Sequence, residues 1–437
     1  MARSIAPAAL IRRQVVLEEH DPLPDGSGAV VVRRFVAGET YRSHLHLVSF
    51  APGPVANRTG ASLAGAVRSA AAVPLRTLTA GAVRDTNPRV APDGRRVAFL
   101  RSFPDDPDRP TVVMVQALDG GEPWLLWSPE HGVSEIAWAP DGRRMAFVAG
   151  EPRARFIVGK ETKGRVVTAR RIMRTDWRWD GFGHRDRWDQ VWVGRVRAGA
   201  KPRQLTHAEA DAKSIAWAPD GRSIACAADP RPDADLRPLP SIWVVPAAGG
   251  PPREAVHLAG YAGLPAFSPD GRWLACVGVD TPDPLDDEQP GLFVAPAPDH
   301  DAGGPATAVP LAPDLDRPIG AWNDTDLNGW MASSRPGPWW DGPDALVALV
   351  SDAGRVQPWR FPIDPTVGRA PGDPVRLAGG DVAAWTLGVA GGIVSLVATV
   401  DDRPMELLAV EGSGPRARLR PRTTLGGAWR RGVPWPT

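Results

Sequence analysis

Cysteine is nearly absent from this chain of 437 residues, which contains only Cys226 and Cys276. Two cysteines cannot build the disulfide framework of a small secreted domain, and they lack the Cys/His clustering of a structural zinc site. His44 and His46 share one face of a predicted strand, but no third metal ligand accompanies them. We therefore expect a reducing compartment, no metal, no cofactor, and two cysteines that serve as small core residues.

The chain also lacks an excess of charge, with 51 Lys and Arg against 50 Asp and Glu. This balance excludes a generally basic nucleic-acid-binding protein, so we expect no nucleic-acid partner. Long apolar runs are missing too, because the longest one, residues 387–400, is interrupted by glycine, and residues 1–20 hold no apolar block of signal-peptide length. The sequence therefore predicts a soluble, cytoplasmic protein without a membrane partner.

Glycine and proline are abundant instead, at 46 and 48 residues, and they predict many turns. Hydrophobic residues make up 43% of the chain and charged residues 23%. These proportions are typical of a globular protein that buries a large core.

One short segment recurs four times without gaps, each time around a Pro-Asp-Gly turn. The copies are residues 88–99 (PRVAPDGRRVAF), 136–147 (IAWAPDGRRMAF), 215–226 (IAWAPDGRSIAC) and 265–276 (PAFSPDGRWLAC). Each copy predicts a β-hairpin, because Pro fixes φ at the turn and Gly accepts a positive φ. The residues expected to shape these turns are Asp93, Gly94, Asp141, Gly142, Asp220, Gly221, Asp270 and Gly271.

A third predicted strand and then a short fourth one follow each hairpin. The third strands are residues 112–115, 190–193, 242–245 and 292–295. Two of the spacings between copies are about 50 residues, as in a propeller blade, whereas the spacing of about 80 residues between the second and third copies requires an insertion, predicted as a long hairpin near residues 160–190. Degenerate copies begin near residues 21, 338 and 389. The predicted fold is all-β, a propeller of about seven four-stranded antiparallel blades.

The repeats resemble those of TolB-like and WD40-like propellers, and the insertion narrows the resemblance. Residues 172–183 (IMRTDWRWDGFG) are similar to the Arg-x-x-Tyr-Arg-x-Asp-Gly-x-Gly segment of acylaminoacyl-peptidase-type members of the prolyl oligopeptidase family, serine peptidase family S9, with Trp177 in place of Tyr. Residues 41–48 and 83–88 extend the resemblance, which covers roughly residues 15–412. We therefore expect an N-terminal tail at 1–14, a propeller at 15–412, and a C-terminal tail or truncated interdomain linker at 413–437, with residues 52–73 as a flexible excursion between the first two blades.

The resemblance implies a peptidase whose propeller caps an α/β-hydrolase domain and limits access by large substrates. Such a hydrolase needs a Ser on a Gly-x-Ser-x-Gly elbow, with a His and an Asp. The nearest approaches, around Ser62 and Ser223, lack the second Gly. We therefore expect no catalytic residue in this chain, which would be inactive alone and would work with a separate α/β-hydrolase domain or chain on peptides.

The candidate residues for binding a substrate or partner follow from the insertion. They are Arg174, Trp177, Arg178, Asp180, Gly181 and Gly183. In the family this hairpin faces the interdomain cavity, which implies that Arg174 and Arg178 recognise a peptide carboxylate or an acid of the hydrolase domain, with Asp180 and Gly181 shaping the turn. The residue-level alternative is structural, since arginines that alternate with tryptophans and aspartates in residues 165–192 also pair with each other to hold a long hairpin.

Two other hypotheses about the function of the whole chain stay open. A TolB-like propeller that binds a protein partner would have no connection with proteolysis, but it has no evident need of the segment from Arg174 to Gly183. The second hypothesis is that the chain is a gene remnant without function. The insertion favours a peptidase origin, with the propeller gating or binding substrates.

Overall fold

The computed structural model describes residues 7–50, 75–153, 156–158, 169–179, 183–285, 287–298, 304–323, 335–400 and 403–425. The excursion predicted at residues 52–73 lies outside this part of the chain. Across the described ranges, no helix is both long enough and apolar enough to cross a membrane.

Nearly all the regular structure is β. In the first half of the chain the short helix α1 spans Pro7–Arg12 and is followed by β1 (Val15–Pro22), β2 (Gly28–Ala37), β3 (Thr40–Ser49), β4 (Arg76–Thr77), β5 (Arg84–Val90), β6 (Arg96–Ser102), β7 (Val112–Ala117), β8 (Trp124–Trp127), β9 (Glu135–Trp138), β10 (Arg144–Pro152), β11 (Ile157–Val158), β12 (Ala169–Arg170), β13 (Arg178–Trp179), β14 (Gly183–His184), β15 (Arg187–Arg195) and β16 (Arg203–Gln204).

The second half continues in the same way. It contains β17 (Lys213–Trp217), β18 (Ser223–Ala228), β19 (Ser241–Pro246), β20 (Arg253–Val256), β21 (Tyr261–Phe267), β22 (Trp273–Val279), β23 (Gly291–Pro296), β24 (Val309–Pro310), β25 (Trp339–Trp340), β26 (Ala345–Asp352), β27 (Arg355–Pro362), β28 (Val375–Arg376), β29 (Val382–Ala390), β30 (Ile393–Val400), β31 (Arg403–Glu411), a 3-10 helix (Gly414–Arg416) and β32 (Arg418–Pro421).

The chain divides into two compact units. Unit 1 contains Met1–Trp127, Gln289–Leu292 and Pro310–Thr437, and unit 2 contains Ser128–Glu288 and Phe293–Val309. Unit 1 has two sheets, each made of two successive meanders of four strands, β1–β4 with β5–β8 and β25–β28 with β29–β32. Single parallel pairings, Ser43 with Arg84 and Val356 with Ala383, join the meanders within each sheet.

Most strands of unit 2 lie in three separate sheets, each of four strands. Their orders are β16-β15-β10-β9, β17-β18-β19-β20 and β21-β22-β23-β24. The predicted third strands are confirmed as β7, β15, β19 and β23; β7 is longer than predicted at its C-terminal end, and the other three are longer at both ends. β32 lies beyond residue 412 and pairs with β31 from Leu408–Pro421 to Glu411–Arg418, so the last meander extends into the segment expected to be a tail.

The Pro-Asp-Gly turns have the predicted geometry. Gly94, Gly142, Gly221 and Gly271 have φ between 61° and 73°, a region that favours glycine because it has no Cβ. In the first of them Gly94 N donates to Ala91 O at 2.8 Å, and the Asp93 carboxylate accepts from Arg95 N at 2.9 Å. The other three copies repeat this arrangement through Asp141, Asp220 and Asp270. The turn therefore carries its own hydrogen bonds, which is why the sequence motif alone identifies it.

The first strand of several meanders is bulged, a feature that the repeat pattern did not predict. In β5, β17 and β21 the pairing with the next strand shifts at Asn87, Ser214 and Leu264, whose φ values are 53°, 57° and 52°. In unit 2 the Glu135 carboxylate accepts from the bulge amides of Ser214 and Ile215 at 2.8 and 3.0 Å. The bulge thus turns two backbone donors away from the ladder, and an acid of the preceding meander satisfies them.

Apolar strand residues form the cores of both units. Phe99, Phe147, Cys226 and Cys276, which share one repeat position, are all at most 1% exposed. Burial raises the pKa of both thiols to about 12, which fits small core residues and disfavours thiolate chemistry.

In unit 1 the first and last meanders pack together, with Val16 and Leu17 against Val397 and Leu407. His20 lies beside this contact and reaches the hydroxyls of Thr386 at 2.7 Å and Ser395 at 2.9 Å. Burial and the nearby Arg335 cation lower the pKa of His20 to about 3, so this imidazole is neutral at physiological pH.

Candidate functional site

The insertion begins where the pairing between β10 and β15 ends. These strands pair without interruption from Arg144–Arg195 to Pro152–Arg187. Beyond them Arg153 N donates to Asp186 O at 2.9 Å, and the short ladders β11–β12 and β13–β14 follow. The predicted insertion is therefore present as two small two-stranded ladders that project from the two middle strands of the first sheet of unit 2.

A small apolar base supports the insertion. Trp188 is fully buried, and the Phe156 ring lies against it with centroids 5.0 Å apart. The guanidinium carbons of Arg174 and Arg185 both lie 5.9 Å from the Trp188 ring centroid. The two cations near Trp188 therefore add to the contacts that this two-ring base makes.

An ion-pair network completes the support. Arg174 Nε donates to Asp176 Oδ1 at 2.9 Å, and Arg185 bridges Asp176 at 2.6 Å and Asp211 at 2.9 Å. Asp235, in the loop between β18 and β19, accepts from Thr175 N at 2.8 Å. Because these side chains are only 12–21% exposed, their attraction is screened less than that of surface pairs.

Arg170 and Asp186 form a second link at the root of the insertion. Arg170 Nε donates to Asp186 Oδ2 at 2.7 Å, and Asp186 is only 5% exposed. The cavity beside this pair, bounded by Ile172, Trp177 and His184 among others, measures only about 10 Å³. That space is close to the minimum for one water molecule, so this cavity is too small to enclose a peptide, and among the described residues the outer surface of the insertion is the better candidate for binding.

The outer surface combines apolar side chains with exposed cations. Ile172, Met173 and Trp177 are 58%, 53% and 38% exposed. Arg171 and Arg178 are exposed as well, and within the described residues neither guanidinium has a hydrogen bond or ion pair. This surface, Arg171–Met173 with Trp177 and Arg178, is called the insertion face below.

The structure thus separates the predicted binding residues into two groups. Arg174 lies in the supporting network, where Asp176 and Asp235 occupy its guanidinium, whereas Trp177 and Arg178 lie on the insertion face. Gly183 has a φ of 77° and pairs with Trp179 across the β13–β14 ladder. Asp180 and Gly181 lie outside the described residues.

The sequence pattern did not identify the acids outside the insertion that pair with its arginines. Asp211 precedes β17, and Asp235 belongs to an Asp-rich stretch at residues 229–235. The only available signal was the surplus of Arg over nearby Asp within the insertion, which indicates outside partners without naming them.

Carboxylates also meet at the base of the insertion. Asp189 lies near Asp211 and Glu135, and Ser134 Oγ approaches Asp189 Oδ2 at 3.4 Å. Burial, together with the charge of Asp211, raises the pKa of Asp189 to about 6. Among the described residues no group of acids, histidines and cysteines could hold a metal ion.

Known proteins share this architecture. Pyrococcus horikoshii acylaminoacyl peptidase is 14% identical, with a TM-score of 0.65 over 97% of this chain and 55% of that chain. The β-propeller domain of the trilobed protease from Pyrococcus furiosus is 12% identical, with a TM-score of 0.57 over 94% of this chain and 97% of that domain.

Sequence comparison adds one curated relative. The uncharacterized peptidase YuxL of Bacillus subtilis (strain 168) is 28% identical over 153 residues, which are 35% of this chain and 23% of YuxL. No family model matches the chain. The chain spans about half the length of the acylaminoacyl peptidase. At these identities the structural similarity shows the fold alone: the chain is a β-propeller, as the repeats predicted, and it is similar to the propeller domain of the trilobed protease.

Proposed function

We propose that this chain is the substrate-gating and binding propeller of a serine peptidase of the prolyl oligopeptidase family, acting on short or N-acylated peptides in the cytoplasm. The observation that carries the proposal is the insertion face, which is exposed on a segment held by partly buried ion pairs. A segment without function has no need of such support, whereas a recognition element benefits from being held in one conformation before its ligand arrives.

In this proposal the residues of the insertion have distinct roles. Arg178 and Arg171 supply charge for a peptide carboxylate or for an acid of the hydrolase, since a guanidinium pairs with a carboxylate through two parallel hydrogen bonds. Trp177 supplies an aromatic surface, against which His184 packs with centroids 5.6 Å apart. Arg174 positions this surface from beneath through its pair with Asp176.

Bond cleavage belongs, in the same proposal, to a separate α/β-hydrolase domain or chain. Acyl transfer requires a serine nucleophile, a histidine base and an orienting acid. The printed sequence has no Gly-x-Ser-x-Gly elbow. The propeller would then select substrates by size and charge and leave the chemistry to its partner.

The test combines activity and binding on the purified chain. An acetylated tetrapeptide with a free carboxylate should bind without being hydrolysed, and a fluorophosphonate probe should label no serine. Arg178→Ala should weaken binding several-fold, whereas Arg197→Ala, at another exposed arginine of unit 2, should not. A labelled serine would overturn the assignment of the chemistry, and equal binding by both variants would remove the insertion face from recognition.

One observation favours a second function. Ile172 and Met173 expose more than half of their surface beside the exposed cations of Arg171 and Arg178, as in a surface that docks a protein. A TolB-like interaction propeller would use the same face for a protein partner unrelated to proteolysis. Capture of a protein that contains no hydrolase domain, lost in Arg178→Ala, would support this alternative.

A further inference from the structure

An open cleft of about 450 Å³ lies in unit 1, between the β2–β3 turn and the β6–β7 loop. Its lining includes the aromatic side chains of Tyr41 and Phe103 and the cations of Arg84 and Arg109. This volume is in the range of small-molecule sites, which combine apolar walls with a few charged groups. Tyr41 and Arg84 belong to the segments 41–48 and 83–88, whereas Phe103 and Arg109 lie outside the repeated segment 88–99.

The two arginines of the cleft differ from their neighbours in having no hydrogen-bonded acceptor. Arg42 contacts both carboxylate oxygens of Asp105 at 2.8 Å, and Arg101 donates to Asp85 at 2.7 and 2.9 Å. Within the described residues, by contrast, the guanidinium of Arg84 donates no hydrogen bond and only approaches Glu18, at 3.6 Å. A guanidinium is always charged and carries five donors, so a lining arginine without an acceptor is a donor available to a ligand.

The guanidinium of Arg109 packs on an aromatic ring and, among the described residues, has no acid as a hydrogen-bond partner. Its guanidinium carbon lies 3.4 Å from the centroid of the Phe103 ring, and in the described part of the chain no acid accepts from it. Stacking uses the flat face of the guanidinium and leaves the N–H groups at its edge free to donate. Phe103 therefore holds Arg109 without using up its hydrogen-bonding capacity.

The acids around the cleft do not cancel its cations. Glu18 is shared between Arg34 at 3.1 Å and Arg84 at 3.6 Å, and its burial raises its pKa against the opposing effect of these two arginines. Arg34 also lies over the Tyr41 ring, 4.8 Å from its centroid. Glu39 is the carboxylate that lines the cleft itself, and it is exposed. The lining itself therefore holds two cations, Arg84 and Arg109, against one carboxylate, while Asp106 and Asp108 of the same loop are exposed and do not line the cleft.

We propose that this cleft binds a small carboxylate that carries an apolar or aromatic body. The carboxylate accepts from the edge of Arg109 and is attracted by Arg84, while the body packs on Tyr41 and the Phe103 side of the cleft. Both an arylalkanoic acid and the C-terminal residue of a short peptide have this chemistry. The site is distinct from the insertion face and does not depend on the proposed peptidase role.

Calorimetric titration of the full chain with matched probes tests the inference. Phenylacetate and the peptide Ala-Ala-Phe present the carboxylate, whereas phenylacetamide and Ala-Ala-Phe-amide have the same body without the charge. We expect saturable binding of at least one acid, at least about tenfold weaker binding of its amide, and weaker binding as ionic strength rises. Binding of the free acid alone identifies a small metabolite-like ligand, and binding of the peptide acid alone identifies a peptide C terminus; either supports the site.

Variants locate the binding in the cleft. Arg109→Gln should weaken binding of the acid about tenfold, and Arg109→Lys, which keeps the charge but loses the planar fork, should have a smaller effect. Arg95→Gln is the matched control, because Arg95 is an exposed arginine of unit 1 at the opposite end of β6. Arg109 is exposed too, so its loss leaves folding intact, which an unchanged thermal transition verifies.

Three results would overturn the inference. They are equal affinity for acid and amide, equal loss in Arg109→Gln and Arg95→Gln, and no saturable binding of any probe at millimolar concentration. Arg178→Ala separates this site from the proposed function, since it should leave phenylacetate binding unchanged whichever way the test of the insertion face turns out.

Discussion

The ion pairs of the insertion and those inside the sheets of unit 1 support two different kinds of structure. Inside unit 1, Asp85 is fully buried and a single arginine, Arg101, gives it two hydrogen bonds. In the insertion the pairs form a chain, in which Arg185 joins Asp176 to Asp211. The Asp85–Arg101 pair neutralises one buried charge in a sheet that has an apolar cluster of its own, whereas the pairs of the insertion supplement a base of only two aromatic rings.

This difference shows where each part of the molecule is vulnerable. The sheets of unit 1 have apolar clusters of their own, so a buried pair there adds little but becomes costly once one partner is removed. The insertion rests on Trp188 and Phe156 and depends on its charges for its conformation. Damage in unit 1 should therefore be global, and damage in the insertion should be local.

The largest expected effect follows from removing Arg101. Arg101→Met leaves the Asp85 carboxylate buried without its partner, and we expect a loss of about 3–5 kcal/mol in the free energy of unfolding. Urea denaturation followed by tryptophan fluorescence measures it. Adding Asp85→Asn should restore part of the loss, and Arg95→Met, at an exposed position, should change stability by less than about 0.5 kcal/mol. Similar losses for Arg101→Met and Arg95→Met would contradict the comparison.

A smaller and more local effect is expected for Arg185→Met. This change breaks the hydrogen bonds to Asp176 and Asp211 and should lower the local stability of the insertion by roughly 1–3 kcal/mol, while the urea midpoint moves little. Limited proteolysis with cleavage sites mapped by mass spectrometry should show faster cutting within residues 153–187. Arg178→Met removes an exposed arginine of the same segment and should leave the cutting rate unchanged. Faster cutting spread over both units would mean that the network supports more than the insertion.

The smallest expected effect is the pH response of Asp189. Its pKa is about 6 in the folded protein, whereas an ordinary Asp ionises near 4, so between these pH values the folded state holds one more proton than the unfolded state. Stability therefore falls as pH rises from about 4 to about 6 and stays lower above. Asp189→Asn should remove that part of the slope and stabilise the protein at pH 7.5 by about 1–2 kcal/mol, as measured by denaturation across pH. Asp233→Asn, at an exposed acid of unit 2, should keep the slope. An unchanged slope in Asp189→Asn would assign it to other groups.

The repeat turns could be predicted from sequence because their causes are local. Asp93 and Gly94 close their turn with hydrogen bonds that span at most three residues, so a few letters of sequence contain the whole explanation. The degenerate copy at residues 23–28 confirms this, since Gly26 N donates to Leu23 O and Gly26 has a φ of 72°. The same reasoning gave the strands on either side.

The bulges could not be predicted from the repeat pattern, and the acid that holds one of them, at Ser214, comes from another repeat. Asn87, Ser214 and Leu264 have little in common except their place in the first strand, and only one of them, Asn, is often found at positive φ. What holds Ser214 there includes Glu135, which is far away in the sequence. The insertion was likewise predicted as a hairpin from the sequence. The sequence did not separate a supporting Arg174 from an exposed Arg178, because the network that holds Arg174 includes Asp235 and Asp211 from outside the insertion.

The Pro-Asp-Gly turns close the first connection of their meanders, which leaves the second connection, at the opposite end of the strands, able to vary in length. Between β10 and β15 this second connection is the long insertion. Between β26 and β27 it consists only of Ala353 and Gly354. These two residues have φ values of 49° and 77°, as in a tight type I′ hairpin turn, and the strands beside them pair continuously from Ala345–Pro362 to Asp352–Arg355. For protein engineering this makes the Gly354 turn a grafting point, where a foreign recognition loop can be carried by a hairpin whose register is already fixed.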